Sequence, residues 1–236
     1  MTTALNLLSG GAAQGIVRQL APAFEQAHGV RLQGSFGAVG AMKQKLLEGA
    51  PCDVLILTQA LIDGLTQSGQ VQAASARNLG TVMTSVAVKS GQKHPAVHDG
   101  ESLRQALCSA SGIYFPDPKL ATAGIHFMKV LTDLGIAQSL SDRLRVYPNG
   151  ATAMKAMAEC DDPHVMGCTQ ITEILITEGI ECVADLPPGY ELATVYTAAV
   201  CSASPAATLA AQFIDALTGQ AAQAWRRQAG FLPMPA

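Results

Sequence analysis

Apolar positions along the chain fall into two patterns, short continuous runs and longer stretches with helical spacing. Residues 5–8 and 54–57 are continuous apolar runs, as is typical of parallel strands that are covered on both faces. Between residues 12 and 28, apolar positions recur every three or four residues, which predicts a helix. The first 70 residues therefore predict the order β-α-β-α-β-α and a parallel sheet.

Small residues occupy the points where these predicted strands pass into helices. The two turns are Ser9-Gly10-Gly11 and Gly37-Ala38-Val39-Gly40. Gly37 and Gly40 are expected to free the backbone where the strand ends and the helix begins. Open α/β sheets bind ligands at the carboxyl ends of their strands, and free N–H groups at a helix start attract anions. The alternative for each turn is an ordinary helix start, with Ser9 acting as a cap.

The second half of the chain repeats this arrangement. Strands are predicted at about residues 82–88, 112–115, 144–147, 164–168, 182–184 and 195–201. Small or polar residues open three further helices, at Thr122-Ala123-Gly124, at Asn149-Gly150 and at Thr169-Gln170. Two α/β halves with such turns are expected to face each other across a cleft.

Composition narrows the class of protein. The 236 residues are 49% hydrophobic and 14% charged, and they carry a net charge of −3. This composition is typical of a compact α/β protein and gives no indication of nucleic acid or an anionic membrane as a partner. Backbone dipoles can bind an anion without a basic surface, so the net charge is compatible with anion binding.

The sequence shows neither a targeting segment nor a metal or cofactor motif. It has no basic n-region and no long apolar segment, so the chain as written is expected in the cytoplasm, or in the periplasm if a leader has been removed. The six cysteines include no Cys-x-x-Cys pair and are interpreted as free, buried thiols. The five histidines lack metal-ligand spacing, and dinucleotide, Walker and Gly-x-Ser-x-Gly motifs are missing. We therefore expect no metal and no cofactor.

The order of motifs resembles the molybdate-binding branch of the type II periplasmic binding proteins over almost the full length. The resemblance rests on PAFE at 22–25, FGAVG at 36–40, EGAPCDV at 48–54, DP at 117–118, AGI at 123–125 and the Ala-rich C-terminal helices. It implies an α/β, two-lobed fold in which each lobe is a mostly parallel sheet flanked by helices. The first lobe would take residues 1–82 and 195–236, and the second residues 83–194. Two crossing strands, near residues 81–88 and 194–201, would join the lobes.

The same resemblance implies a function. A small anion, either an oxyanion or a carboxylate, would be bound in the cleft, as in the solute-binding proteins of ABC transporters. The implied partners are this ligand and, if the protein is exported, an ABC permease. We expect a monomer without a membrane span. The candidate ligand-binding residues are Ser9, Gly10, Gly11, Ala38, Val39, Gly40, Thr122, Ala123, Gly124, Asn149, Thr169 and Gln170.

Two departures from the molybdate-binding pattern indicate an alternative function. The second turn has no serine, and Gln170 stands at the late tyrosine position of that family. The run GCTQITEIL at 167–175 is similar to a sister branch that includes aconitate isomerase. The alternative is therefore an isomerase or tautomerase of a small polycarboxylate, in which the turns stabilise an enolate-like charge and a base moves one proton.

Three residues are candidates for that proton transfer: His126, Glu173 and Asp117. His126 lies in the first turn of a predicted helix, where the helix dipole favours a neutral base. Each has a structural alternative. His126 could pack against the sheet, Glu173 could face a helix start, and Asp117 could shape its own turn.

Overall fold

The structure, a computed structural model, describes residues 3–234. Strands and helices alternate along most of the chain. The strands are β1 (Thr3–Gly10), β2 (Val30–Gly37), β3 (Val54–Thr58), β4 (Arg77–Lys89), β5 (Ile113–Pro116), β6 (Leu144–Tyr147), β7 (Met166–Gln170), β8 (Ile180–Asp185) and β9 (Ala193–Val200). The helices are α1 (Gln14–His28), α2 (Val39–Leu47), α3 (Gln59–Gln67), α4 (Gly100–Ser109), α5 (Thr122–Asp133), α6 (Gly150–Glu159), α7 (Ile171–Leu175), α8 (Ala207–Thr218) and α9 (Gln223–Gln228).

The chain divides into two compact units. The division falls between Val82 and Met83 and again between Ala193 and Thr194. The first unit is therefore built from two segments of sequence, and the second unit is continuous. The chain passes between the units inside β4 and at the first residue of β9.

The first unit contains a mixed sheet with strand order β2-β1-β3-β9. Strand β1 pairs in parallel with both β2 and β3, and β9 runs antiparallel to β3. The four apolar residues at 54–57 have no exposed surface. The prediction that this run forms a strand covered on both faces is confirmed, because a strand with one solvated face would alternate in burial.

The second unit contains the strand order β6-β5-β7-β4-β8. Strands β6, β5 and β7 are parallel, and β4 is antiparallel to both β7 and β8. One buried cluster includes Phe115 and Phe127, and another includes Tyr114 and Met154. Since Tyr114 and Phe115 are successive residues of β5, their side chains point to opposite faces, and the sheet is packed on both sides.

Several predicted boundaries are wrong. Strand β1 continues through Ser9 and Gly10, which the sequence predicts in a turn, because they pair with Phe36 and Gly37 of β2. A 3₁₀ turn at Gly11–Ala13 then precedes α1, which begins later than predicted. Strand β4 starts at residue 77 instead of residue 82, and β7 extends to residue 170.

The expected backbone freedom at Gly37 and Gly40 is also absent. Neither residue has a positive φ. Gly37 is the last residue of β2, and Gly40 is the second residue of α2. Both therefore adopt ordinary strand or helix conformations.

Candidate functional site

The carboxyl ends of β1, β2 and β3 lie at one edge of the first unit's sheet, because the three strands are parallel. Gly10 pairs with Gly37 at this edge, so the two glycine turns predicted from sequence lie side by side. Each strand leads into a helix: β1 into α1 through the 3₁₀ turn, β2 into α2, and β3 into α3. The first unit thus gathers three helix starts at one edge.

These three helix starts have no side-chain cap and no acidic residue in the first turn. Ser9 does not cap α1, contrary to one of its predicted roles. Its buried hydroxyl donates a hydrogen bond of 2.8 Å to the carbonyl oxygen of Gly10. Backbone N–H groups, rather than the Ser9 hydroxyl, are therefore the donors that this turn offers.

The start of α2 is made of small or apolar residues. Ala38 is the residue before the helix and is buried, as is Val39, the first helical residue. Gly40 follows and is partly exposed. The carbonyl oxygen of Ala38 accepts the first helical hydrogen bond, from the N–H of Met42 at 3.0 Å. The N–H groups of the first helical turn lie ahead of that bond and have no partner inside the helix.

Strands β5, β6 and β7 likewise end at one edge of the second unit's sheet. Helix α5 starts beside the end of β5. A Cβ atom on Gly124 would lie 2.2 Å from the carbonyl oxygen of Pro116 and 2.4 Å from that of Asp117, so only glycine permits this approach. Thr122 and Ala123 open the helix, which has neither a side-chain cap nor an acidic residue in its first turn.

Asp117 shapes the turn between β5 and α5. Its Oδ1 accepts hydrogen bonds from the N–H groups of Lys119 at 2.7 Å and Leu120 at 3.0 Å. The carbonyl oxygen of Asp117 also accepts a bond from the N–H of Ala121 at 3.1 Å. Asp117 thus shapes its own turn, which was the alternative to a role in proton transfer.

His126 is anchored to the segment that precedes β9. Its Nε2 lies 2.7 Å from the carbonyl oxygen of Tyr190. A carbonyl oxygen only accepts, so Nε2 carries the proton in this contact, and a neutral His126 has Nδ1 as its basic nitrogen. Any proton abstraction by His126 would therefore occur at Nδ1.

Helix α6 differs from α5 because side chains fill its start. Oδ1 of Asn149 accepts hydrogen bonds of 2.9 Å from both the N–H and the hydroxyl group of Thr152. Asn149 is thus a helix cap, which was the alternative to ligand binding at this position.

Glu173 also faces the start of α6, although it belongs to α7. Its carboxylate accepts a hydrogen bond of 2.6 Å from the hydroxyl group of Thr169 and a longer one of 3.3 Å from the N–H of Ala151. Backbone N–H groups of Gly150 and Gln170 contribute as well. Burial raises the pKa of Glu173, and these four hydrogen bonds act in the opposite direction.

The predicted site residues thus fall into local groups. Gly10, Gly11, Ala38, Val39 and Gly40 lie at the sheet edge of the first unit. Thr122, Ala123 and Gly124 lie at the start of α5, next to Asp117. Asn149, Thr169 and Glu173 meet at the start of α6. Gln170 is the residue before α7, and its side chain makes no capping hydrogen bond to that helix.

Sequence reasoning missed two buried polar residues at these edges. Tyr196 pairs with Thr58 at the edge of the first unit, and a Cβ on Gly10 would lie 3.0 Å from its ring. Thr84 pairs with Gln170 in the second unit and is fully buried. Within residues 3–234, the hydroxyl group of Thr84 has no hydrogen-bond partner. Both residues lie in antiparallel strands, so only the strand pairing brings them to these edges.

Between residues 3 and 234, no group of three or more His, Cys, Asp or Glu side chains is arranged to hold a metal ion. None of the helices described there combines the length and the apolar character that a bilayer crossing requires.

Comparison with known proteins identifies the family. The family described as bacterial extracellular solute-binding protein matches residues 5–232. The chain is 27% identical over 243 residues to an aconitate isomerase of Pseudomonas sp, with 99% of this chain and 89% of that protein covered.

Solved structures show the fold. The periplasmic molybdate-binding protein of Azotobacter vinelandii superposes with a TM-score of 0.79 at 20% identity, covering 98% of this chain and all of that one. The sulfate-binding protein SubI of Mycobacterium tuberculosis gives a TM-score of 0.76 at 18% identity, covering 98% of this chain and 87% of that one. The chain belongs to the bacterial extracellular solute-binding protein family and has the α/β fold of the type II periplasmic binding proteins.

Proposed function

We propose that this protein binds a small anion, either a tetrahedral oxyanion or a carboxylate, and acts as a solute-binding protein. The observation that carries the proposal is the set of helix starts without caps at the carboxyl ends of parallel strands. A helix start concentrates N–H donors and the positive end of the helix dipole, and it attracts anions unless the protein fills it.

Helices of this chain differ in whether their starts are filled. Asp99 caps α4, and Ser102 completes the capping box. Asn149 caps α6, and the carboxylate of Glu173 accepts a further hydrogen bond from the N–H of Ala151 at the start of that helix. In contrast, α2 of the first unit and α5 of the second start with small residues and have no such side chain. These two helices are the proposed donor groups, with α1 as a further one.

The similar structures support the ligand class. Two of them are named as binding proteins for molybdate and sulfate, both of which are tetrahedral oxyanions. This chain has Ala38 where a hydroxyl side chain would strengthen oxyanion binding, so backbone donors must provide most of the affinity. For that reason the proposal includes carboxylates, which backbone N–H groups also bind through charge-assisted hydrogen bonds.

A thermal-shift panel tests this proposal. The purified protein is melted with molybdate, tungstate, sulfate, phosphate, citrate, cis-aconitate or trans-aconitate. A ligand present at 100 times its Kd stabilises the native state by about 2.7 kcal/mol, which corresponds to a shift of about 5–10 °C for a chain of this length. A concentration-dependent shift with at least one anion supports the proposal, and the absence of a shift with all seven contradicts it.

The proposed partner outside the ligand is an ABC permease, and the proposed location is the periplasm. The family description supports both, and both require that the protein be exported. Fractionation of the source cells, with the natural gene product followed by immunoblot, would test the location. Recovery in the cytoplasmic fraction would favour an intracellular sensor or enzyme.

A second function is favoured by one observation. The aconitate isomerase of Pseudomonas sp is 27% identical over nearly the whole chain. We propose isomerisation of a small unsaturated polycarboxylate as the alternative. Nδ1 of His126 would remove a proton from the substrate, and the uncapped helix starts would stabilise the negative charge that develops.

Glu173 is the second candidate for proton transfer. Its buried carboxyl group has a raised pKa, so it can hold a proton over a wider pH range than an exposed glutamate. Asp117 is the third candidate, and its Oδ1 is already engaged by two backbone N–H groups.

Proton NMR separates the two functions. The protein is incubated in D₂O with cis-aconitate and, separately, with trans-aconitate. An isomerase interconverts them and incorporates deuterium, and His126→Ala abolishes turnover while binding is largely retained. A solute-binding protein shifts its melting temperature with the ligand but leaves the spectrum of the ligand unchanged.

A further inference from the structure

The two sequence segments of the first unit meet where β3 begins and β9 ends. Val54 pairs with Val200, and the N–H of Cys201 donates a hydrogen bond of 3.0 Å to the carbonyl oxygen of Asp53. In the first segment, Cys52 directly precedes Asp53. In the second segment, Cys201 is the residue that donates this hydrogen bond.

The two cysteines at this junction lie on neighbouring segments, because Cys52 directly precedes the residue whose carbonyl oxygen bonds Cys201. A hydrogen bond from Cys201 to Cys52, together with burial, raises the pKa of the Cys201 thiol. Cys201 is 2% exposed, and Cys52 is only partly buried, with its Sγ 3.2 Å from the carbonyl oxygen of Val54. Both are free thiols in the structure, and Cys52 is the one that a reagent in solvent can reach.

We propose that Cys52 and Cys201 form a disulfide when the protein meets a small disulfide oxidant. The thiolate of Cys52 attacks one sulfur of the oxidant, whose other sulfur leaves as a thiolate. Cys201 then loses its proton and attacks Sγ of Cys52, releasing the second half of the oxidant. Two protein thiols and one small disulfide become one protein disulfide and two small thiols.

This bond would join the two halves of the first unit covalently. Residues 52 and 201 flank the whole of the second unit in sequence, so the closed loop contains it. A long loop restricts the unfolded chain strongly, and the stabilisation by a disulfide grows with loop length in the chain-entropy model. The family is described as extracellular, and disulfides persist outside the reducing cytosol.

The experiment uses the full-length protein and oxidised glutathione. After incubation the protein is alkylated, weighed by mass spectrometry and mapped by proteolysis without reductant. The expected result, after alkylation in denaturant, is a mass two alkyl groups lower than that of the untreated protein. A peptide should link Cys52 to Cys201, and the melting temperature before alkylation should be raised by about 5–10 °C. Reduction with dithiothreitol should reverse all three changes.

Matched variants make the assignment specific. Cys52→Ser should abolish the mass loss, whereas Cys108→Ser, which removes a half-buried cysteine of the second unit, should not. Limited cleavage within the second unit adds a test of the disulfide between Cys52 and Cys201. The two outer fragments should stay together on a non-reducing gel only after oxidation. A stable glutathione adduct on Cys52, a linkage between other cysteines, or no change in mass would overturn the proposal.

Discussion

A Cβ atom on Gly150 would lie 2.0 Å from Oε2 of Glu173, so this buried carboxylate can reach the start of α6 only because residue 150 has no side chain. Gly150 and Glu173 are 23 positions apart in sequence, yet a side chain at position 150 and the carboxylate of Glu173 cannot occupy the same space. The carboxylate occupies the place that an external anion would take at an unfilled helix start. The chain thus satisfies the donors of α6 internally and leaves those of α2 and α5 without side-chain caps.

Gly150→Ala should destabilise the protein by about 2–3 kcal/mol, because the added methyl group displaces the carboxylate from its hydrogen bonds. Urea unfolding measures this change. Gly64→Ala is the matched control, since Gly64 lies in α3 and a Cβ there would meet nothing within 4 Å. That control should be neutral or slightly stabilising, and equal effects for the two variants would contradict the role of Gly150.

The raised pKa of Glu173 predicts a specific dependence of stability on pH. A carboxyl group with a folded-state pKa above its unfolded value contributes stability that is fully present below the unfolded pKa and is lost as pH rises through the folded pKa. The free energy of unfolding of the wild type, relative to that of Glu173→Gln, should therefore fall as pH rises from the ordinary glutamate pKa of about 4.3 through the raised pKa of the folded state. Urea titrations of both proteins across this range measure the difference, and a difference that rises with pH would show that the hydrogen bonds outweigh burial.

Thr84→Val should stabilise the ligand-free protein by about 1 kcal/mol, because a buried hydroxyl group without a partner among the described residues costs free energy. Thr197→Val is the matched control in another buried strand. Its hydroxyl group donates a hydrogen bond of 2.7 Å to Oδ1 of Asn78, so its loss should destabilise the protein by about 1–2 kcal/mol. Opposite signs are the expected outcome in thermal unfolding, and destabilisation by Thr84→Val would mean that its hydroxyl group is satisfied.

Thr122→Glu tests whether the start of α5 binds an anion. A carboxylate in the first turn of a helix favours the helix but repels an anion at its N–H groups, so stability should be kept while affinity falls at least 10-fold. Isothermal titration with the tightest anion of the thermal-shift panel measures the change. Thr132→Glu changes the net charge equally at the exposed far end of the same helix and should alter affinity less than twofold.

Local sequence predicted some elements well. The continuous apolar run at 54–57 is typical of a strand covered on both faces, which it forms, and α5 was expected to open at Thr122, where it does begin. Strand β1 was predicted too short because Ser9 and Gly10 have low strand propensity, and their pairing with β2, together with that of Ser9 with β3, keeps them extended.

The composition of the candidate site was less accessible from sequence. Small residues at strand ends indicated helix starts, but they did not distinguish α5 from α6. The distinction depends on Glu173, which reaches Ala151 across 22 residues of sequence. Thr84 and Tyr196 were missed for the same reason, since antiparallel pairing brings each to its sheet edge and no local pattern records that pairing.

The order of synthesis gives the two-segment first unit a further consequence. Thr81 and Leu232 exchange two backbone hydrogen bonds, of 2.9 and 2.8 Å, so the first segment gains these contacts only after Leu232 has been synthesised. Residues 83–193 are continuous and can fold as soon as they leave the ribosome. During translation the second unit can thus complete its sheet while β1, β2 and β3 still lack β9. Until then the edge of β3 that pairs with β9 is exposed, and chaperones or self-association would act on that edge.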